Sequence, residues 1–172
     1  GPEWFRPDGP VYSDFEDGRV YRRPLLDQLK EAVFEGPAYL LKGDVATGKS
    51  VIVRHLMYEL FQEGHTRVYY FDVSGYRAFE RDTLVQEIVG VKGLVVIENV
   101  HLEPDKVCWV LSRVRDKDGI HVLLTARTSI DSFRGLFNEE IHELESKTLT
   151  AALEGDEIID CYVSHVGVEP KV

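Results

Sequence analysis

Eight consecutive residues, Gly43-Asp44-Val45-Ala46-Thr47-Gly48-Lys49-Ser50, have the spacing G-x-x-x-x-G-K-[ST]. These residue types suit capture of a polyphosphate. Glycines let the backbone bend until successive N–H groups face one centre. Lys49 brings an ammonium group for the β- and γ-phosphates, and Ser50 brings a hydroxyl for Mg²⁺. Val51 completes the stretch expected to hold the nucleotide. A plain glycine turn between two core elements would also use the glycines, but it has no need of the Lys-Ser pair.

Chemistry on a bound triphosphate needs an acid to hold Mg²⁺ through water and a group to position the attacking water. The run Leu94-Val95-Val96-Ile97-Glu98-Asn99 is apolar and ends in an acid, so Glu98 is the candidate for the metal. Many buried strands also end in an acid that merely faces solvent. Asn99, next in line, can orient a water but cannot accept its proton at neutral pH. A third piece is Thr125-Ala126-Arg127. Arginine is planar, always charged and able to bind two phosphate oxygens at once. The alternative for Arg127 is a surface cation paired with one of the chain's many acids.

The elements that must position these groups are legible from period and punctuation. Ala38-Tyr39-Leu40-Leu41, ahead of the glycine loop, is a short apolar run and reads as a buried strand. Behind the loop, Val53, Leu56, Met57 and Leu60 recur at i, i+3, i+4, i+7, one face of a helix whose N-terminus adds partial positive charge at the loop. Pro24 opens an earlier helix with Leu26, Leu29 and Val33 on its apolar face. Residues 68–71 are β-prone and end in Asp72, a helix is expected over 79–88, and 94–97 is a strand buried on both faces. Pro104 starts a helix striped by Val107, Val110, Leu111 and Val114. Residues 122–125 form a fourth strand, a short helix follows near 133–137, and 141–144 form a weaker fifth strand. A last helical stripe runs over 156–166 with Asp156 as N-cap. Strands alternating with helices predict an α/β layer fold with a mostly parallel sheet. Such sheets bind ligands at the carboxyl ends of their strands, where the glycine loop, Asp72, Glu98 and Thr125 all fall.

At 172 residues the chain is expected to fold as one domain, with residues 1–19 an extended lead-in and 20–172 the core. Trp4, Phe5, Tyr12 and Phe15 are expected to pin the lead-in to the domain surface. Thirty acidic and 20 basic residues give a net charge of −10, which opposes a broad grip on nucleic acid. No apolar run approaches the ~20 residues that span a membrane. Cys108 and Cys161 lack C-x-x-C spacing and read as buried thiols of a reducing cytoplasm.

Three stretches resemble the STAND NTPases, signal-transduction P-loop ATPases related to AAA+ proteins. They are the glycine loop, Val96-Ile97-Glu98-Asn99-Val100-His101, similar to an apolar-Asp-Asp-x-His pattern, and Leu123-Leu124-Thr125-Ala126-Arg127, similar to an apolar-Thr-x-Arg strand end. Arg22-Arg23-Pro24-Leu25-Leu26-Asp27-Gln28-Leu29 is similar to the family's opening helix. The resemblance covers roughly residues 20–165. It implies a five-stranded, three-layer P-loop fold with strand order 5-1-4-3-2. It places Tyr21 and Arg22 near the adenine, and Thr47, Gly48, Lys49 and Ser50 on phosphates and metal. It puts Glu98 on Mg²⁺ and Arg127 on the γ-phosphate. His101 follows the family pattern, and two roles are open to it: contact with nucleotide or water, or packing and hydrogen bonding, the commoner use of a His after a strand. The stripe at 156–166 would be the first helix of a lid.

The resemblance also implies function: an ATP (or ADP) and Mg²⁺ binding switch, with protein partners or further domains in a longer chain. Asn99 stands where the family often has a second acid, so hydrolysis is expected to be slow; an alternative alignment makes Glu98 itself the catalytic acid. Adenine is the family's base, and no Asn-Lys-x-Asp run is present to read guanine. Three other readings stay open. One is an AAA+-like motor or loader that takes an arginine from a neighbouring subunit. Another is an interaction module without nucleotide. The last is a small-molecule kinase using Lys42, Arg127 or Arg134.

Overall fold

In the computed structural model, strand β1 (Ala38–Lys42) lies between two partners and fixes the frame of the domain. The structure describes residues 9–36, 38–43, 47–64, 66–75, 81–90, 92–114, 117–127 and 141–145. On one side β1 pairs with β4 (Ile120–Ala126). β4 is joined in turn by β3 (Gly93–Glu98) and β2 (Val68–Asp72), every pair parallel. On its other side β1 pairs by backbone with β5 (Ile141–Glu145), giving the order β2-β3-β4-β1-β5.

Side chains of alternate parity leave the sheet on opposite faces, and each face carries helices. Tyr39, Leu41, Leu94, Val96 and Leu123 pack under α2 (Leu25–Ala32) and α3 (Lys49–Glu63). Ala38, Leu40, Val95, Ile97, Val122 and Leu124 pack under α4 (Arg81–Val89) and α5 (Pro104–Val114). The fold is therefore a three-layer α/β sandwich around a parallel sheet. The apolar run Leu94-Val95-Val96-Ile97 is at most 1% exposed, as a strand covered on both faces requires. The α5 stripe Val107, Val110, Leu111 and Val114 is buried to the same degree.

Two local expectations differ from what forms. The lead-in is not extended throughout, because Tyr12–Glu16 form a short helix, α1. Asp14 accepts the Val11 N–H at 2.8 Å, which satisfies one of the free donors at the helix start. Phe15 then stacks on Tyr58 of α3 with ring centroids 5.6 Å apart, and Tyr12 meets the same ring edge-on at 5.1 Å. That cover explains why α3 is buried on more than one side. Ile52 and His55 join Val53, Leu56 and Leu60 in the interior, while Met57 is only half-buried. Trp4, Phe5, the stretches 133–137 and 156–166, Arg134 and Cys161 lie outside the described residues.

Register sets the site. Lys42 is level with Ala126, Leu41 with Thr125, Ile97 with Leu124 and Asp72 with Glu98. The carboxyl ends of four strands thus finish on one edge.

Candidate functional site

The chain leaves β1 through Gly43, whose N–H bonds the Ala126 carbonyl at 3.1 Å. It returns at Thr47, which is 1% exposed, and enters α3 through Gly48. Gly48 has φ 77°, a left-handed conformation that a side chain opposes and glycine does not. The turn aims the first N–H groups of α3 at the space above the loop. Asp44, Val45 and Ala46 lie outside the described residues. The Lys49 ammonium donates to the Gly43 carbonyl and lies 3.5 Å from the Thr47 hydroxyl. It therefore sits across the mouth of its own loop.

Facing the loop is a cavity of about 260 Å³ lined by Thr47, Gly48, Lys49, Ser50, Val51, Asn99, Thr125 and Arg127. Three separate stretches of sequence meet there: the glycine loop, the end of β3 and the end of β4. Glu98 does not line this cavity. It is 2% exposed, and its Oε2 accepts the hydroxyl hydrogen of Tyr70. Its Oε1 is buried and has no hydrogen-bond partner among the described residues. Burial pushes the Glu98 carboxyl above its ordinary range, and Asp72 adds to the effect. The hydroxyls of Tyr70 and Ser50 oppose it by favouring the charged form. A spare carboxylate oxygen and the Ser50 hydroxyl are hard oxygen donors of the kind Mg²⁺ takes, usually with several waters retained. The residues present fit that ion.

Asn99 adopts φ 60°, a left-handed conformation that Asn tolerates better than most residues. Its N–H donates to Thr125 Oγ1 at 3.1 Å, tying the ends of β3 and β4 together. Its side-chain amide donates to Asp72 Oδ1 at 2.9 Å. The same oxygen accepts from Ser74 N–H and Oγ, so Asp72 serves to brace the turn after β2. His101 makes a second tie, since its Nδ1 accepts the Arg127 N–H at 3.4 Å. Burial lowers its pKa, and the charges of Arg127 and Lys49 act in the same direction. An accepting Nδ1 assigns the ring proton to Nε2.

Tyr21 and Arg22 are not brought to this cavity. Arg22 grips Asp27 with two hydrogen bonds of 2.6 and 3.0 Å and also bonds Glu59 of α3. Lys30 joins the same cluster through Glu59 and Glu63. The neighbouring Arg23, to which the sequence reading gave no role, is the one that reaches the loop. It is 7% exposed and donates to the Thr47 carbonyl at 2.8 Å. Its signal in sequence was its place in an Arg-Arg-Pro run ahead of α2, where two cations sit side by side with no helical period to separate them. Arg23→Gln is expected to lower the unfolding free energy by about 1–3 kcal/mol in urea melts, through loss of a buried charge-assisted bond. Wild-type stability in that variant would remove Arg23 as the tether of the loop.

Proteins of known structure share this fold. The chain resembles a DNA replication initiation factor of known structure (TM-score 0.58, 15% identity, covering 86% of this chain and 51% of that one). It resembles PCH-2 of C. elegans (TM-score 0.64, 13% identity, 94% and 53% covered). It also resembles a Walker-type ATPase of Pyrococcus abyssi (TM-score 0.61, 12% identity, 94% and 60% covered). At these identities the likeness is one of fold, and the chain spans about half to three-fifths of each of those proteins. A comparison with curated proteins finds no match. The sequence profile described as Novel STAND NTPase 5 matches residues 3–131, three-quarters of the chain. With the glycine loop, the acid-ended strand and the arginine-ended strand converging on one sheet edge, the chain belongs to the Novel STAND NTPase 5 family of P-loop nucleoside triphosphatases.

Proposed function

We propose that this domain binds ATP with Mg²⁺ and acts as a nucleotide-dependent signalling switch that hydrolyses slowly. The observation that carries the proposal is the single cavity shared by Lys49, Ser50 and Arg127. The loop amides and Lys49 would hold the phosphates, Ser50 and Glu98 the hydrated metal, and Arg127 the γ-phosphate. Two hydrogen bonds, Asn99 N–H to Thr125 and Arg127 N–H to His101, link the loops after β3 and β4. A γ-phosphate that engages Arg127 would therefore order both loops, and its loss would release both.

Slow turnover follows from the acid inventory. The group after Glu98 is an amide already committed to Asp72, so among the described residues that position offers no second acid to take a proton from water. The protein partners, or further domains of a longer chain, would read the loop state. No helix among the described residues is long and apolar enough to cross a membrane. Cys108 is buried, and burial pushes its thiol up to about 11, so it stays protonated and unreactive. The net charge of −10 favours protein over nucleic acid as the partner of this domain.

Arg127→Ala separates a switch from a simple binding site. Calorimetry should show MgATP affinity falling ~10–100-fold, the loss of charge-assisted bonds to one phosphate, with MgADP affinity within about twofold of wild type. Equal losses for both nucleotides would end the γ-phosphate reading.

A further inference from the structure

Outside the phosphate cavity, the structure holds an aromatic groove of about 390 Å³ bounded by α1, α3 and β2, with Tyr12, Phe15, Tyr58 and Tyr70 in its walls. Tyr70 connects this groove to Glu98. Its ring lines the groove and is 38% exposed, while its hydroxyl donates to the carboxylate of Glu98. Strand register explains the reach. Tyr70 pairs with Val96, and Glu98 lies two residues further along β3 on the same face. Diagonal neighbours of this kind are within range of an aromatic side chain.

The two acids at this end of the sheet are thus served differently. Asp72 accepts three hydrogen bonds at Oδ1, from Asn99 and Ser74. At Glu98, Oε2 accepts from Tyr70, the Ser50 hydroxyl also favours the charged carboxylate, and Oε1 is buried without a hydrogen-bond partner among the described residues. A buried polar atom left in this way is costly unless something completes its hydrogen bonding. We propose that Tyr70 is a positioning residue for Glu98, fixing Oε2 so that Oε1 is the oxygen left to accept a hydrogen bond from the water shell of a Mg²⁺ beside Ser50. This inference rests on the nucleotide-site reading above. The Tyr70 phenol touches neither nucleotide nor metal, and it acts only by removing the freedom of the carboxylate to rotate.

The test is calorimetry of ATP with Mg²⁺ and of ATP in EDTA, on Tyr70→Phe, Glu98→Gln and the double variant. Tyr70→Phe keeps the ring in the groove, and its fold is checked by thermal melting. It should weaken MgATP binding ~10-fold, the loss of one bond to a charged group, and leave binding of metal-free ATP within about twofold. In the Glu98→Gln background the same change should have no further effect beyond about twofold, because the two residues act as a unit. Three results overturn the inference: MgATP binding by Tyr70→Phe at or above wild-type affinity, an equal loss in EDTA, or an undiminished loss in the Glu98→Gln background. A wild-type protein that binds no MgATP overturns the nucleotide-site reading itself. The inference alone fails when wild type binds MgATP, Glu98→Gln weakens that binding and Tyr70→Phe does not.

Discussion

Lys49→Ala is expected to abolish nucleotide binding at the concentrations calorimetry can reach. The ammonium is the one cation that the loop itself supplies, and the loop's own oxygens place it. The Gly43 carbonyl accepts its hydrogen bond, and the Thr47 hydroxyl stands 3.5 Å away. A bound polyphosphate would exchange these neutral acceptors for charged ones, and a bond to a charged group contributes ~1.5–3 kcal/mol. Two phosphates contacted together make the loss about 3–5 kcal/mol, a factor of 100 or more in affinity. The fold should survive, because Lys49 lies at the first turn of α3 and is only half-buried. A variant that melts with wild type and binds nothing would place the site at this loop. A variant that binds MgATP as tightly as wild type would show that the polyphosphate is held elsewhere or not at all.

The expectation for Lys49 was available from sequence, and the contrast with Tyr70 shows where such reading stops. The loop, the strand before it and the helix after it are consecutive, so glycine spacing and a 3.6-residue period describe them completely. The buried runs at 94–97 and 122–124 are legible for a similar reason, since neither contains a polar residue to confuse its period. Pairs made across the sheet are another matter. Tyr70 with Glu98 and Asp72 with Asn99 are separated by 28 and 27 residues, and they meet only because β2 and β3 pair in one register. No spacing along the chain encodes that register. Arg22 and Arg23 show the same limit at shorter range. They are adjacent and alike in sequence, yet one faces acids on α3 and the other turns inward to the Thr47 carbonyl. The helix Tyr12–Glu16 was hidden by length, because five residues make less than two turns and leave no period to detect. What holds it is contact with Tyr58, a tertiary effect that overrides local preference.

Gly93 carries the second large effect, on stability. It opens β3 with φ 150° and its N–H donates to the Gly119 carbonyl at 2.9 Å. A Cβ added there would stand 2.3 Å from the Arg67 carbonyl oxygen and 3.0 Å from its carbon. That oxygen cannot withdraw freely, because it accepts the Leu94 N–H at 2.8 Å and so begins the pairing of β2 with β3. Alanine must therefore break the first rung between these strands or displace β3 from β4. Either route combines a backbone clash with a disfavoured φ, and Gly93→Ala should lose about 3 kcal/mol or more. For a domain of this size that is a fall of roughly 6–12 °C in Tm, read by thermal melting. Gly90→Ala is the matched control, because a Cβ at Gly90 meets nothing within 4 Å, and it should melt close to wild type. Five residues separate Gly93 from Glu98 at the other end of the strand, and Glu98 depends on register with Tyr70 to be held. Nucleotide binding by Gly93→Ala should therefore be lost at a lower temperature than in wild type, in step with its melting. If Gly93→Ala melts with Gly90→Ala, the approach of Arg67 to β3 does not constrain the sheet, and the register that places Glu98 must be secured elsewhere along β3.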